Sequence, residues 1–156
     1  MAASTALDFG CGTGLLTEQL VAGGAEVWAV DTSPAMLDIL KAKGQQAGWT
    51  TVHTSIEVPA EPAAFDLIVC SSVCGFLDDY PQTAARLANR LRPGGLFVQW
   101  DWERTGDGDE HGLPRDEISD ALVGAGLEGV EVQTAFEVRI DDQVMAPLQG
   151  HGRRPA

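Results

Sequence analysis

Three glycines stand at alternate positions, Gly10, Gly12 and Gly14, just after one carboxylate, Asp8, and ahead of a second, Asp31. Glycines in a turn let the backbone approach a ligand more closely than a β-carbon would allow. A carboxylate at the end of a second strand can accept both hydroxyls of a ribose. A carboxylate beside the loop itself favours a ligand carrying positive charge and would repel a pyrophosphate. The spacing agrees: the loop reads G-x-G-x-G, whereas a dinucleotide fingerprint needs its third glycine where Leu15 stands. A nicotinamide-dependent oxidoreductase is therefore disfavoured.

Those side chains need elements to hold them, and the pattern supplies them. Apolar residues lead into the glycine turn, and Leu16 and Leu20 follow at helical spacing as far as Gly23-Gly24. Residues 26 to 30 read as a second strand ending at Asp31. Ser33-Pro34 then caps and opens a helix with the stripe Met36, Ile39 and Leu40, stopping at Gly44. Strands follow around 51 to 54 and 65 to 70. Ala84, Leu87, Ala88 and Leu91 mark another helix, halted by Arg92-Pro93-Gly94-Gly95, with 96 to 102 as the next strand and Ile118 to Ala125 as the last helix. Short apolar strands alternating with amphipathic helices predict an α/β, doubly wound, mostly parallel sheet. From Val130 to Ile140 apolar and polar residues alternate without a break, which predicts an antiparallel edge with one buried face. Asp141-Asp142 is a turn, and a weaker strand runs toward Gly150. Without repeats or linkers, residues 1 to 156 read as one domain.

The chain has 156 residues, 44% hydrophobic, with 10 Lys+Arg against 23 Asp+Glu and a net charge of −13. That length and composition suffice for one core, and the charge argues against nucleic acid and anionic membranes as partners. The longest basic cluster is Arg153-Arg154. The lack of a long apolar run or a basic leader predicts a cytoplasmic protein. Three cysteines, an odd number, read as free thiols of a reducing compartment, and Cys70-x-x-x-Cys74 without a second ligand pair predicts no metal site. The acidity is concentrated. Residues 101 to 120 hold eight acids and two bases, either a solvated loop or a field favouring a cationic donor and an amine-bearing acceptor.

Four segments together resemble the class I S-adenosylmethionine-dependent methyltransferases. They are Leu7-Asp8-Phe9-Gly10-Cys11-Gly12-Thr13-Gly14, Val30-Asp31-Thr32-Ser33-Pro34-Ala35-Met36-Leu37, Phe65-Asp66-Leu67-Ile68-Val69 and Leu91-Arg92-Pro93-Gly94-Gly95-Leu96. The resemblance implies a seven-stranded Rossmann-like sheet with an antiparallel C-terminal strand, and methyl transfer from S-adenosylmethionine. It puts Asp8, Gly10, Cys11, Gly12 and Gly14 near the methionine part of the donor, Asp31 on the ribose, and Thr32 and Met36 near the adenine. Met36 equally suits core packing. Ser55 stands where the family often has an acid for the adenine amino group, and Ile56 would line the adenine pocket. Ser71 joins this donor set. Family members usually carry a helical segment before the first motif; here Met1 to Ala6 precede Leu7, which predicts an open donor pocket.

Ligands of open α/β sheets lie at the carboxyl ends of the strands. The acceptor-side candidates are accordingly Ser72, Asp78, Asp79, Asp101 and Trp102, with His111 as a candidate base. Each also suits a solvated loop. Methyl transfer needs chiefly alignment, so no residue is singled out as catalytic. Cys70-Ser71-Ser72-Val73 replaces the Asn-Pro-Pro-Tyr of enzymes that methylate nucleic-acid amino groups, which with the charge points to a small-molecule acceptor. A non-catalytic donor-binding module is the alternative.

Overall fold

The computed structural model describes residues 4–104, 106 and 111–156. The chain runs β1 (Thr5–Phe9), α1 (Leu15–Ala22), β2 (Glu26–Val30), α2 (Pro34–Ala47), β3 (Val52–Ser55) and β4 (Phe65–Ser71). After a 3-10 turn at Cys74–Phe76 it continues α3 (Tyr80–Ala88), β5 (Leu91–Trp102), α4 (Arg115–Gly124), β6 (Glu128–Thr134), β7 (Val138–Ile140), β8 (Gln143–Met145) and β9 (Pro147–Arg153). Seven strands form one sheet in the order β3-β2-β1-β4-β5-β9-β6, and β7 and β8 form a separate hairpin. All pairings from β3 through β5 are parallel. The strand order reverses between β1 and β4, so right-handed crossovers place α1 and α2 on one face and α3 and α4 on the other. This is the doubly wound, mostly parallel sheet expected.

Two apolar clusters fill the two faces. Leu37 and Leu40 of α2 pack with Ala29 on the first. Leu7, Phe65, Ile68 and Phe97 pack with Leu87 of α3 and Ile118 and Leu122 of α4 on the second. Helix α2 starts as its sequence dictates, with Ser33 Oγ accepting the Met36 N–H at 3.4 Å and Pro34 in the first turn. It does not stop at Gly44. A β-carbon there would lie 3.0 Å from the Trp49 ring, so this glycine makes room for an indole, and the helix ends beside Gly48. Its buried side is Leu37, Leu40 and Gly44, while Met36 and Ile39 are exposed.

Two expectations about the second half are corrected. Leu91 belongs to β5 rather than to α3, and Arg92 to Gly95 form a bulge inside that strand, where the register slips from Phe65↔Leu91 to Leu67↔Leu96. The alternating run from Val130 to Ile140 is broken after Thr134, and its last part pairs in the hairpin. The antiparallel C-terminal strand that the resemblance implies is β9, which lies between β5 and β6 and is antiparallel to both. The first part of the run, in β6, is the edge strand of the sheet and pairs antiparallel with β9, as its alternation predicts. Arg153 and Arg154 do not make a basic patch: their guanidinium groups donate to the carbonyls of Gly94 and Asn89 at 3.0 and 2.9 Å.

Among the described residues, no helix is long and apolar enough to cross a membrane, and no group of His, Cys, Asp or Glu could hold a metal ion. The three cysteines are free and buried. Asp107, Asp109 and Glu110 of the acidic stretch lie outside the described residues. Of its other members, Glu117 and Glu103 pair with Arg104 and Arg115 at 3.5 and 3.7 Å.

Candidate functional site

The reversal between β1 and β4 opens a crevice at the carboxyl ends of the strands, where α/β sheets place ligands. A cleft of about 610 Å³ lies there, with Asp8, the glycine loop, Asp31 and the residues after β4 on its walls.

The glycine loop is built against the end of β2. The N–H groups of Gly10 and Cys11 both donate to the Val30 carbonyl, at 2.8 and 3.0 Å. Gly10 has φ 73°, and a β-carbon on it would stand 2.6 Å from Val73. Gly14 has φ 87°, and a β-carbon there would meet Leu40 at 2.9 Å. Both positions combine a left-handed backbone with a packed neighbour, so any larger residue is strained twice. The contact with Val73 also locks the loop after β4 onto the loop after β1.

Asp31 joins two turns. Its Oδ2 accepts the Gly12 N–H at 2.9 Å and its Oδ1 accepts the Ser33 N–H at 2.8 Å. Each carboxylate oxygen keeps further acceptor capacity toward the cleft. Asp8, at the cleft floor, is 1% exposed. Thr17 Oγ1, itself buried, donates to Asp8 Oδ2 at 2.6 Å. Burial pushes the Asp8 carboxyl up to about 6; the Thr17 hydrogen bond works against this, and the charge of Asp31 adds to it. The same burial, with Asp8 and Asp31 nearby, raises the Cys11 thiol to about 12 and keeps it protonated. The rim is apolar: Leu15, Met36 and Phe76 are 75%, 40% and 61% exposed, and all three line the cleft. Exposed apolar side chains around a floor of carboxylates suit a ligand with one flat apolar part and one cationic part.

Of the donor-side candidates, Asp8, Gly10, Cys11, Gly12, Asp31, Thr32, Met36 and Ser71 line this cleft. Gly14 supports it from behind through Leu40. Ser55 and Ile56 do not line it. Ser55 Oγ accepts the Glu57 N–H at 3.2 Å, and its carbonyl takes the Asp31 N–H at 3.2 Å, which turns Ile56 out to solvent.

The acceptor-side set divides. Ser72 lines the cleft and has φ 54°, an uncommon conformation for a residue with a side chain; its N–H donates to the Trp100 carbonyl at 2.7 Å. His111 stacks on Phe76 with ring centroids 4.6 Å apart. Asp78, Asp79, Asp101 and Trp102 are not in the lining. Asp79 caps α3, its Oδ1 accepting the Gln82 N–H at 3.0 Å. Asp101 is 3% exposed and alternates onto the inner face of β5, where it bonds Gln99.

Phe76, Val73 and Thr17 were not foreseen as site residues. Thr17 carries a signal in hindsight: a hydroxyl one turn into the helix after a glycine loop faces back along the preceding strand. Phe76 sits in a 3-10 turn that follows no period, so the sequence carries no signal for it.

A family profile described as a methyltransferase domain matches residues 7–99. A ubiquinone biosynthesis O-methyltransferase of Xylella fastidiosa is 36% identical over 97 residues, covering 59% of this chain and 39% of that protein. The corresponding protein of Marinobacter nauticus is 31% identical over 105 residues, covering 63% and 44%. The chain thus spans about two fifths of the length of these curated relatives. Among solved structures, phosphoethanolamine N-methyltransferase 2 of Haemonchus contortus superposes with a TM-score of 0.80 at 16% identity, covering 99% of this chain and 49% of that one. The N-methyltransferase NodS of Bradyrhizobium japonicum gives 0.74 at 20% identity, covering 99% and 80%. At these identities the structural matches speak to the fold.

Proposed function

The chain belongs to the methyltransferase domain family, and from that membership we propose that it transfers a methyl group from S-adenosylmethionine to a small-molecule acceptor. The observation that carries this reading is the meeting of two carboxylates, Asp8 and Asp31, with a glycine loop and an apolar rim in one cleft at the switch point of the sheet. The donor, when bound, supplies an electrophilic methyl group on a sulfonium. Asp8 would hold its ammonium group, Asp31 its ribose hydroxyls, and Met36 and Thr32 its purine. A dinucleotide would set its pyrophosphate against Asp8, an unfavourable contact.

The chain's task is alignment. Methyl transfer is an in-line displacement, and holding both reactants in register supplies most of what the protein can contribute. The loop from Ser71 to Phe76 forms the wall between donor cleft and acceptor side. His111, stacked on the cleft-lining Phe76, would offer an imidazole beside the acceptor as its proton is released. The relatives named above are O-methyltransferases and the structural neighbours N-methyltransferases, so both oxygen and nitrogen acceptors belong in the assay.

Isothermal titration with S-adenosylhomocysteine tests donor binding. Saturable 1:1 binding, weakened at least tenfold in Asp31→Ala, is expected from loss of a charged acceptor pair. Absence of binding in the folded wild-type chain would overturn the reading. Turnover with methyl-labelled donor over a pool of phenols and amines then separates an enzyme from a module that only binds donor.

A further inference from the structure

A buried carboxylate that faces no ligand needs another explanation, and Asp101 is one. It stands at the end of β5, outside the lining of the cleft, in a chain of hydrogen bonds with defined direction. Tyr80 O–H of α3 donates to Gln99 Oε1 at 2.6 Å, and Gln99 Nε2 donates to Asp101 Oδ2 at 2.8 Å. Asp101 Oδ1 then accepts the Gly75 N–H at 3.3 Å, with the Cys74 thiol and backbone also bonding the carboxyl. Gln99 is fully buried and Tyr80 is 3% exposed. Gly75 and Cys74 belong to the 3-10 turn that presents Phe76 to the cleft.

We propose that Asp101 is a positioning residue for the donor cleft, holding the Ser71–Phe76 wall in place from behind through Gly75 and Cys74. The inference rests on the donor reading above. Three further contacts show that the wall is set from outside. Ser72 is held left-handed by its bond to Trp100, Val73 is pressed against Gly10, and a β-carbon on Gly75 would stand 3.1 Å from Gly112. The last contact ties the wall to the segment bearing His111. A carboxylate accepts such N–H bonds about twice as strongly as a neutral oxygen, which explains an acid in a site that must otherwise be dry.

The groups facing Asp101 are Gln99 on its own strand, Cys74 and Gly75 of the turn, Tyr80 of α3, and Cys70 of β4 through the Cys74 thiol. A hydrogen bond with Cys70, and then burial, push the Cys74 thiol up, while burial and then the nearby Cys74 and Asp101 push the Tyr80 phenol up, so both stay protonated. Burial pushes Asp101 itself up to about 6.

The test uses the full chain labelled with nitrogen-15, and the variants Asp101→Asn and Tyr80→Phe. In wild type the Gly75 amide resonance should titrate with a midpoint near 6, and Asp101→Asn should abolish that titration. Amide exchange across residues 72–76 should speed roughly tenfold in Asp101→Asn, and S-adenosylhomocysteine should bind roughly fivefold more weakly at pH 7.5. Tyr80→Phe, which removes one hydroxyl, should show the same changes at smaller size and serves if Asp101→Asn does not fold. Exchange over residues 72–76 that is unchanged in Asp101→Asn, or Asp101→Asn binding S-adenosylhomocysteine within twofold of wild type, overturns the proposal. Should wild type bind no S-adenosylhomocysteine, the donor reading fails; unchanged exchange over residues 72–76 would then still refute the hold by Asp101, and faster exchange would support it.

Discussion

The ends of β1 and β5 hold the same chemical object in two settings. Asp8 and Asp101 are each almost wholly buried, and burial pushes each carboxyl up to about 6. Asp8 has one side-chain donor, Thr17, and otherwise opens to the cleft. Asp101 has Gln99, Gly75 and Cys74 around it and opens to nothing. An equal shift therefore does not mean an equal role. What separates them is the direction in which the remaining lone pairs point, toward the cleft in one case and toward the protein's own groups in the other.

The sharpest way to break the comparison is donor binding. On the proposed reading, Asp8→Ala should weaken S-adenosylhomocysteine on the order of a hundredfold, since it would remove a buried partner for the ammonium group; titration calorimetry checks this. An effect no larger than that of Asp101→Asn would erase the distinction drawn above. Wild-type affinity should also climb as pH rises through about 6, because only ionised Asp8 attracts a cation.

Next comes stability against pH, where the two acids should act alike. Both folded carboxyls bind protons more tightly than in the unfolded chain, so their stabilising contribution is complete below pH 4 and is lost as pH rises toward 6. Each is worth on the order of 2–3 kcal/mol. Denaturant melts between pH 4.5 and 7.5 should show this loss, and Asp8→Asn should flatten part of it. A flat wild-type profile would show that neither group is shifted.

A smaller effect tests the one side-chain hydroxyl on Asp8. Thr17→Val should move the pH midpoint of donor affinity upward and weaken binding roughly tenfold at pH 7, about 1.5 kcal/mol, the lower end for one hydrogen bond to a charged group. The smallest prediction supplies a contrast. Asp66, at the opposite end of β4 and partly exposed, accepts from Thr5 N–H and Oγ1–H and pairs with Arg92 at 2.8 Å. These hold its carboxyl below the usual range, so its contribution is present at neutral pH and lost on acidification. Asp66→Asn should lower stability by less than about 1 kcal/mol at pH 7, with no change in S-adenosylhomocysteine affinity.

What could be seen in the sequence was what local chemistry dictates. Ser33-Pro34 starts a helix because both act on their own turn, and Asp8, Gly10 and Asp31 converge because strand–turn–helix units repeat with one geometry. Glycines with tertiary reasons misled. Gly44 read as a stop but yields to Trp49. Gly150 weakened the reading of β9, although a β-carbon there would stand 2.5 Å from Ile118. Alternation from Val130 to Ile140 specified a face but not a partner, so the break after Thr134 was hidden. For Asp101, proximity to a strand end was legible, but of its network only Gln99 is on its own strand; Gly75 comes from the 3-10 turn and Tyr80, behind Gln99, from α3, and no local pattern announces such a meeting.

The position of β9 has a consequence for how the protein is made. Strand β6 is bonded in the sheet to β9 alone, and β9 follows it in the chain. As the polypeptide leaves the ribosome, β1 to β5 can assemble in order of synthesis, but β6 has no partner until the last strand has emerged and slid in beside β5. The β9–β6 edge of the sheet therefore closes in one late step, with the alternating apolar residues of β6 exposed to chaperones and to other nascent chains until then.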